Sequence, residues 1–315
     1  MSASLALVRW WMQGARCRSR ARLDGKLVVI TGANTGIGRS TALELSRRGA
    51  GLVLLCRDVG RGEEAAGEIR RETGGEVVVH RLDLSSLKSV RECAEHLNNT
   101  LEKVDILINN AGVMVCPEMR TEEGFEMQIG TNHFGHFLLT NLLLPLIKAA
   151  APGARIVTVS SRAHERGRIQ WEDIHWQRTP YSALDAYSQS KLANLLFSAE
   201  LARRLEHSGV TVYSLHPGVI ATDLFRHAGD SLGPAAGLLL TLGKPLLRTV
   251  DSGAQTSVYC AVDPSIAGHS GRYYSDCGEV APGPQAEDMD HAKLLWEMSE
   301  RLTGLEQSPK SECVL

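Results

Sequence analysis

Tyr187 and Lys191 stand four residues apart in a run, Ala186 to Leu205, whose spacing is helical throughout. Residues four apart on a helix share a face, with β-carbons about 5 to 6 Å from one another. A lysine ammonium about 5 Å from a phenol, at an effective dielectric near 20, stabilises phenolate by roughly 3 kcal/mol, or about two pK units. The pair is therefore expected to bring the Tyr187 phenol from about 10 toward neutrality. A group poised there can exchange a proton with an oxygen whose charge changes during reaction, as reduction of a carbonyl requires. The spacing alone is weak evidence, because a half-buried tyrosine beside a solvated lysine carries the same signature. Of the six tyrosines, however, only Tyr187 has a basic residue four positions on.

Such a pair is useful only if other elements hold a reactant against it, and the upstream chain supplies them. Lys26 to Ile30 is a short apolar, β-branched run. It leads into Thr31-Gly32-Ala33-Asn34-Thr35-Gly36-Ile37-Gly38-Arg39, and Ser40 to Arg48 is helical before Gly49. Strand, glycine turn and helix in this order form a phosphate cradle. Glycines let the backbone approach a pyrophosphate, and the helix amino terminus offers free N–H groups. The spacing Gly-x-x-x-Gly-x-Gly departs from the commoner Gly-x-Gly-x-x-Gly fingerprint. Gly51 to Cys56 reads as the second strand, at whose end an acid would grip a free ribose 2′-hydroxyl. The residue there is Arg57, which, with Arg39, suits a 2′-phosphate instead. NADP(H) is thus favoured over NAD(H), although Asp58 leaves an Arg57–Asp58 surface turn as the alternative.

Further on, Arg61 to Arg71 and Ser86 to Leu101 read as helices, and Glu76 to Leu82 and Val104 to Ile108 as strands. The alternation predicts an α/β fold, Rossmann-like and doubly wound, with a single parallel sheet of about seven strands flanked by helices. Asp83 and Leu84 end the third strand, where Asp83 can accept from an adenine amino group or cap the next helix. Asn109 to Gly112 follows the fourth strand with residues small enough for a nucleotide to lie on Asn110, Ala111 and Gly112. Thr121 to Ala150 is largely helical and holds Asn132, a poor helix former whose presence needs a reason. Nearby His133 and His136 lack the glutamate of a metalloprotease helix and read as packing or substrate-facing residues, with no metal implied. Arg155 to Val159 is a fifth strand delivering Ser160-Ser161, only one of which can face the cofactor. Val210 to Leu215 is a sixth strand, Arg272 to Ser275 a further one, and Ala286 to Leu302 an exterior helix.

Taken together, Thr31-Gly32-x3-Gly36-Ile37-Gly38, Asn110-Ala111-Gly112 and Tyr187-x3-Lys191 resemble the short-chain dehydrogenase/reductase family, over about Gly25 to Ser275. The wording Cys56-Arg57-Asp58, NNAGVM from Asn109, EGFEMQ from Glu123, NHFGHFLLTNLLL from Asn132 and SDC from Ser275 is similar to the membrane-associated, NADP(H)-using retinol dehydrogenases. The resemblance implies interconversion of a hydrophobic alcohol and its aldehyde or ketone, retinol and retinal first, a steroid or lipid aldehyde second. It implies that Tyr187 exchanges the proton and that Lys191 binds the nicotinamide ribose. It assigns Ser161 to the substrate oxygen, with Ser160 the rival, and Asn132 to a water relay. It places Pro217, Gly218, Val219 and Thr222 over the cofactor, His164 and Leu224 toward the substrate, and a lid at about 224–250. The segment between Ser161 and Tyr187, with Trp171, Ile174, Trp176 and Pro180, is longer than in many members.

The 315 residues are 43% hydrophobic and 22% charged, enough for one sizeable α/β core, and a net charge of −2 offers no reason to bind nucleic acid. Seven scattered cysteines without Cys-x-x-Cys argue for reduced thiols rather than disulfides or zinc. Cys313, third from the end, is out of place for prenylation. Residues 1–24 read as an arm, the domain as 25–305 and 306–315 as a polar tail. Ser2 to Met12 is apolar but shorter than the roughly 20 residues of a spanning helix. Its Trp10 and Trp11, beside arginines that precede any acid, suit a membrane interface, a mitochondrial transit peptide or a disordered basic arm. The expected location is intracellular and membrane-associated, endoplasmic reticulum first, mitochondrion second, cytosol third, and a homo-oligomer is open. Two competing classes are a serine hydrolase through Gly229-x-Ser231-x-Gly233, which lacks the buried strand such an elbow needs, and a catalytically silent nucleotide-binding scaffold.

Overall fold

The computed structural model describes residues 13–220 and 248–305. Runs rich in valine, isoleucine and leucine alternate with amphipathic helices, and each run becomes a strand: β1 (Leu27–Thr31), β2 (Gly51–Cys56), β3 (Val77–Arg81), β4 (Ile106–Asn109), β5 (Ala154–Val159), β6 (Val210–Leu215) and β7 (Arg272–Ser275). An added two-residue strand, β8 (Gly278–Glu279), pairs antiparallel with β7. The sheet therefore has eight strands in the order β3-β2-β1-β4-β5-β6-β7-β8, seven of them parallel. The doubly wound parallel sheet is as expected, and the extra strand follows from the tight Asp276–Cys277 turn, both residues at positive φ.

Side chains alternate across each strand, so the sheet buries two faces. Val29, Leu107 and Ile156 face one layer, formed by α3 (Leu87–Thr100), α4 (Gly135–Ala149) and α5 (Ala183–Arg204). Val28, Ile30, Ile108 and Val157 face the other, formed by α1 (Gly36–Arg47), α2 (Val59–Thr73) and α6 (Val250–Val262). An outer helix, α7 (Met289–Thr303), seats Trp296 on Phe137 and Phe197, with ring centroids 4.9 and 5.8 Å away. Burying each such side chain contributes about 1.5–3 kcal/mol.

The order of connection reverses between β1 and β4, which leaves a crevice at the carboxyl ends of the strands. The chain leaves that crevice at Ile220 and returns at Arg248, and these two residues are bridged. Residues 13 to 23, within the expected arm, lie against the domain. Cys17 N–H donates to Gln255 Oε1 at 3.1 Å, and Arg48 donates to the Ser19 carbonyl at 2.8 Å. Ser2 to Met12, the polar tail, Thr222, Leu224, most of the lid and Gly229-x-Ser231-x-Gly233 lie outside the described residues. No helix among the described residues is long and apolar enough to cross a membrane.

Candidate active site

The glycine turn is fastened to the neighbouring strand by one hydroxyl. Thr31 Oγ1 accepts from the N–H groups of Asn110 and Ala111 at 3.0 and 2.9 Å, while Asn110 Nδ2 donates to the Thr31 carbonyl at 2.9 Å. Gly38 then packs so closely that a β-carbon there would stand 2.4 Å from the Gly32 carbonyl oxygen. Helix α1 starts at Gly36 without a side-chain cap. Its free amino-terminal N–H groups adjoin a cavity of about 940 Å³ that Gly32, Asn34, Thr35, Ile37 and Gly38 help to line. An uncapped helix start under a backbone-only loop fits a pyrophosphate.

At the end of β2, Arg57 lines the cavity as expected, but Arg39 does not. Arg39 turns to Glu68 on α2 and forms an exposed ion pair, because its place on the first turn of α1 faces the neighbouring helix. Arg61, on α2, also lines the cavity. No motif marks this residue, yet it lies four positions, one helical turn, beyond Arg57. Asp58 accepts from Arg61 N–H at 3.1 Å and caps α2, so its charge is engaged by a helix start. Asp83 and Leu84 also line the cavity. One Asp83 oxygen accepts from the Ser85 N–H and hydroxyl at 2.9 and 2.6 Å, while the cap of α3 is Ser86.

Strand β5 delivers the serine pair, and the two hydroxyls diverge. Ser160 is buried and donates to the Lys191 carbonyl at 2.7 Å. Ser161 begins a short 3₁₀ turn, Arg162–Arg166, accepts from Ala163 N–H at 3.2 Å and is a hydrogen-bond partner of Tyr187. Lys191 Nζ stands 5.7 Å from the Tyr187 ring centre and donates to the Val159 carbonyl at 3.2 Å. The expected acidic phenol is not what these groups produce. Burial pushes Tyr187 up to about 12, with the Ser161 hydrogen bond pulling the other way, and burial lowers Lys191 to about 8. The expected shift counted only the lysine's field, without the cost of burying the phenol. In a fully buried pair the loss of hydration outweighs that field.

Asn132 lies in a π-turn, Gly130–Phe134, that precedes α4. Its Oδ1 accepts from Val113 N–H at 2.8 Å and its Nδ2 donates to the Val113 carbonyl and Ser190 Oγ, both at 2.9 Å. The amide thus pins the loop after Gly112 to α5, and the wider turn is a known feature of functional helices. His136 is buried with Nε2 2.8 Å from Thr31 Oγ1 and Nδ1 3.0 Å from the Asn132 carbonyl. Thr31 Oγ1 already accepts twice, so its proton goes to Nε2, and Nδ1–H serves the carbonyl. His133 packs among Phe134, Phe137 and Phe197 with Nε2 2.9 Å from Ser299 Oγ. Both histidines are therefore interior residues, and neither lines the cavity.

His164 is also buried rather than substrate-facing, its ring nitrogens 2.8 Å from the Ser161 carbonyl and 2.9 Å from Gly283 N–H. The long segment before α5 lies on the protein. Arg120 donates to the His175 carbonyl, Gln128 Nε2 donates to Tyr181 at 3.0 Å, and the Tyr181 hydroxyl reaches the buried Glu126 at 3.1 Å. Leu184, Arg166, Val113, Met114, Pro217, Gly218 and the exposed Val219 complete the walls on the side of Ser161 and Tyr187.

A family model described as short chain dehydrogenase matches residues 26–232. Human retinol dehydrogenase 13 is 49% identical over 315 residues, covering 97% of this chain and 93% of that protein. Human retinol dehydrogenase 12 is 48% identical over 299 residues, covering 95% and 92%. Among solved structures, an uncharacterized protein from Mycobacterium paratuberculosis superposes with a TM-score of 0.74 at 39% identity, over 92% of this chain and 98% of that one. An NAD(P)-dependent gluconate 5-dehydrogenase from Beutenbergia cavernae, with bound NADP, gives 0.64 at 25% identity, over 81% and 96%.

Proposed function

Given that this chain belongs to the short chain dehydrogenase family of oxidoreductases, we propose that it interconverts retinol and retinal with NADP(H). The observation that carries the substrate is the pair of human retinol dehydrogenases, about half identical to this chain across nearly its whole length. The cofactor rests on residues of the cavity itself: the uncapped α1 start, the close-packed Gly38, and Arg57 and Arg61 where a 2′-phosphate would stand. NADPH, when bound, supplies the hydride for the carbonyl carbon.

The chain's own residues handle the oxygen. Ser161 holds the carbonyl oxygen, and the protonated Tyr187 beside it donates as charge grows there. Lys191 contributes a buried positive charge and a hydrogen-bonding group for the nicotinamide ribose. Asn132 acts by fixing the Val113 backbone at the cavity wall and tying it to Ser190 on the Tyr187 helix. Apolar Leu184, Val219 and Val113 suit a hydrocarbon substrate. Membrane attachment through Ser2 to Met12, with the endoplasmic reticulum favoured over the mitochondrion, belongs to the same reading.

The test is a purified-enzyme screen with NADPH and NADH against all-trans-retinal, medium-chain aldehydes and ketosteroids. NADPH-dependent reduction of retinal is expected to lead. Turnover confined to ketosteroids would replace the substrate, and turnover confined to NADH would replace the cofactor. Carbonate washing of membranes tests attachment, which recovery from the soluble fraction alone would rule out.

A further inference from the structure

We propose that His164 is a positioning residue for Ser161, tying the loop that carries Gly283 to the hydroxyl that holds the substrate oxygen. The inference rests on the reaction proposed above. Its basis is a buried imidazole with both nitrogens committed. Gly283 N–H lies 2.9 Å from Nε2 and can only donate, so Nε2 is the bare acceptor. Nδ1 then carries the proton and donates to the Ser161 carbonyl at 2.8 Å. That carbonyl also accepts from the His164 backbone N–H at 3.1 Å, so one residue holds the Ser161–Arg162 peptide from two directions.

The ring has little freedom to do anything else. Tyr273 stands edge-on to it, centroids 5.0 Å apart, and only 1% of His164 is exposed. Gly283 approaches so closely that a β-carbon would lie 3.2 Å from Glu165 Cα. The far end of the same 3₁₀ turn rests on α5, where a β-carbon at Gly167 would stand 2.5 Å from the Ser188 carbonyl oxygen. Ser161 therefore sits on a turn braced at one end by the Tyr187 helix and at the other by the β8–α7 loop, through a single imidazole.

Two isosteres separate positioning from packing. Asparagine at 164 keeps an amide N–H where Nδ1–H stands and loses the Gly283 contact. Glutamine places its amide near Nε2 and abandons the Ser161 carbonyl. With NADPH and all-trans-retinal, and at a temperature where circular-dichroism melts show each variant folded, kcat of His164→Gln should fall about 10- to 100-fold. His164→Asn should exceed it by roughly tenfold, and NADPH Kd from cofactor fluorescence should shift by less than about twofold in both. Equal kcat in the two variants, or a wild-type kcat in His164→Gln, would overturn the assignment. Ser161→Ala is the control for the underlying reading: if it keeps turnover, the proposed chemistry fails, whereas its loss beside an active His164→Gln removes the role of His164 alone.

Discussion

The Tyr187 hydroxyl rises to about 12 and the Lys191 ammonium falls to about 8 for one reason, removal from water. The consequence is directional. Reduction uses the protonated phenol, which dominates at every pH below about 12, whereas oxidation uses the small deprotonated fraction. Retinol oxidation should therefore accelerate from about pH 6 to 8, by up to about tenfold per unit, while retinal reduction stays nearly level. The gain should flatten above about 8, where Lys191 loses its charge. Parallel pH–rate profiles in the two directions check this, and a level oxidation limb would show that Tyr187 is not the base. Tyr187→Phe should keep NADPH binding and lose turnover about 10²- to 10⁴-fold. At the other end of the cavity the two arginines at stake differ in surroundings. Arg57→Asp should move preference toward NADH, and Arg39→Ala should not, since Arg39 is spent on Glu68. Comparable changes in the NADPH-to-NADH ratio for both would reverse that distinction. Residue type and spacing had made Arg57, the Ser160–Ser161 pair, Tyr187 and Lys191 legible, because each is set by a short motif. Arg61 over Arg39, and the role of His164, depended on which way a long or flat side chain turns after packing.

Elements carry the geometry between these residues, and the 3₁₀ turn after β5 has little tolerance for change. Gly167→Ala would drive a methyl to 2.5 Å from the Ser188 carbonyl oxygen, a backbone atom that cannot rotate away. It should cost about 1–3 kcal/mol and displace Ser161 from Tyr187. A lowered urea midpoint with a lowered kcat is expected; an unchanged midpoint would mean that the turn yields more easily than its packing implies. The π-turn at Asn132 is the other element with a local cause. Asparagine in a helix signals an exception, but the form of the exception, an amide clamped on Val113 and Ser190, becomes visible only when α5 arrives.

For the molecule as a whole, buried neutral histidines set the acid limit. Burial lowers His133 to about 3 and His136 to about 4 from 6.5, so below about 6.5 the unfolded chain binds protons that the folded chain refuses. Stability present at neutral pH should decline from about pH 6.5 down to about 3, with unfolding at about pH 5 taking up roughly two protons from this pair. Urea midpoints at a series of pH values measure it, and a level series would mean that the two rings titrate normally. What the sequence by itself determined is the alternation of strands and helices, the glycine turn, and the tyrosine, the lysine and the serine pair. These rest on periodicity and on contacts within a few residues, which the chain writes locally. The tertiary structure alone decided which hydroxyl of Ser160 and Ser161 faces the cavity, which arginine accompanies Arg57, and that the phenol is less acidic than its lysine predicts. Those outcomes depend on burial and on partners that other elements bring in, such as Lys191 beneath Ser160 and Glu68 beside Arg39, and desolvation is a property of the assembled interior rather than of any spacing along the chain.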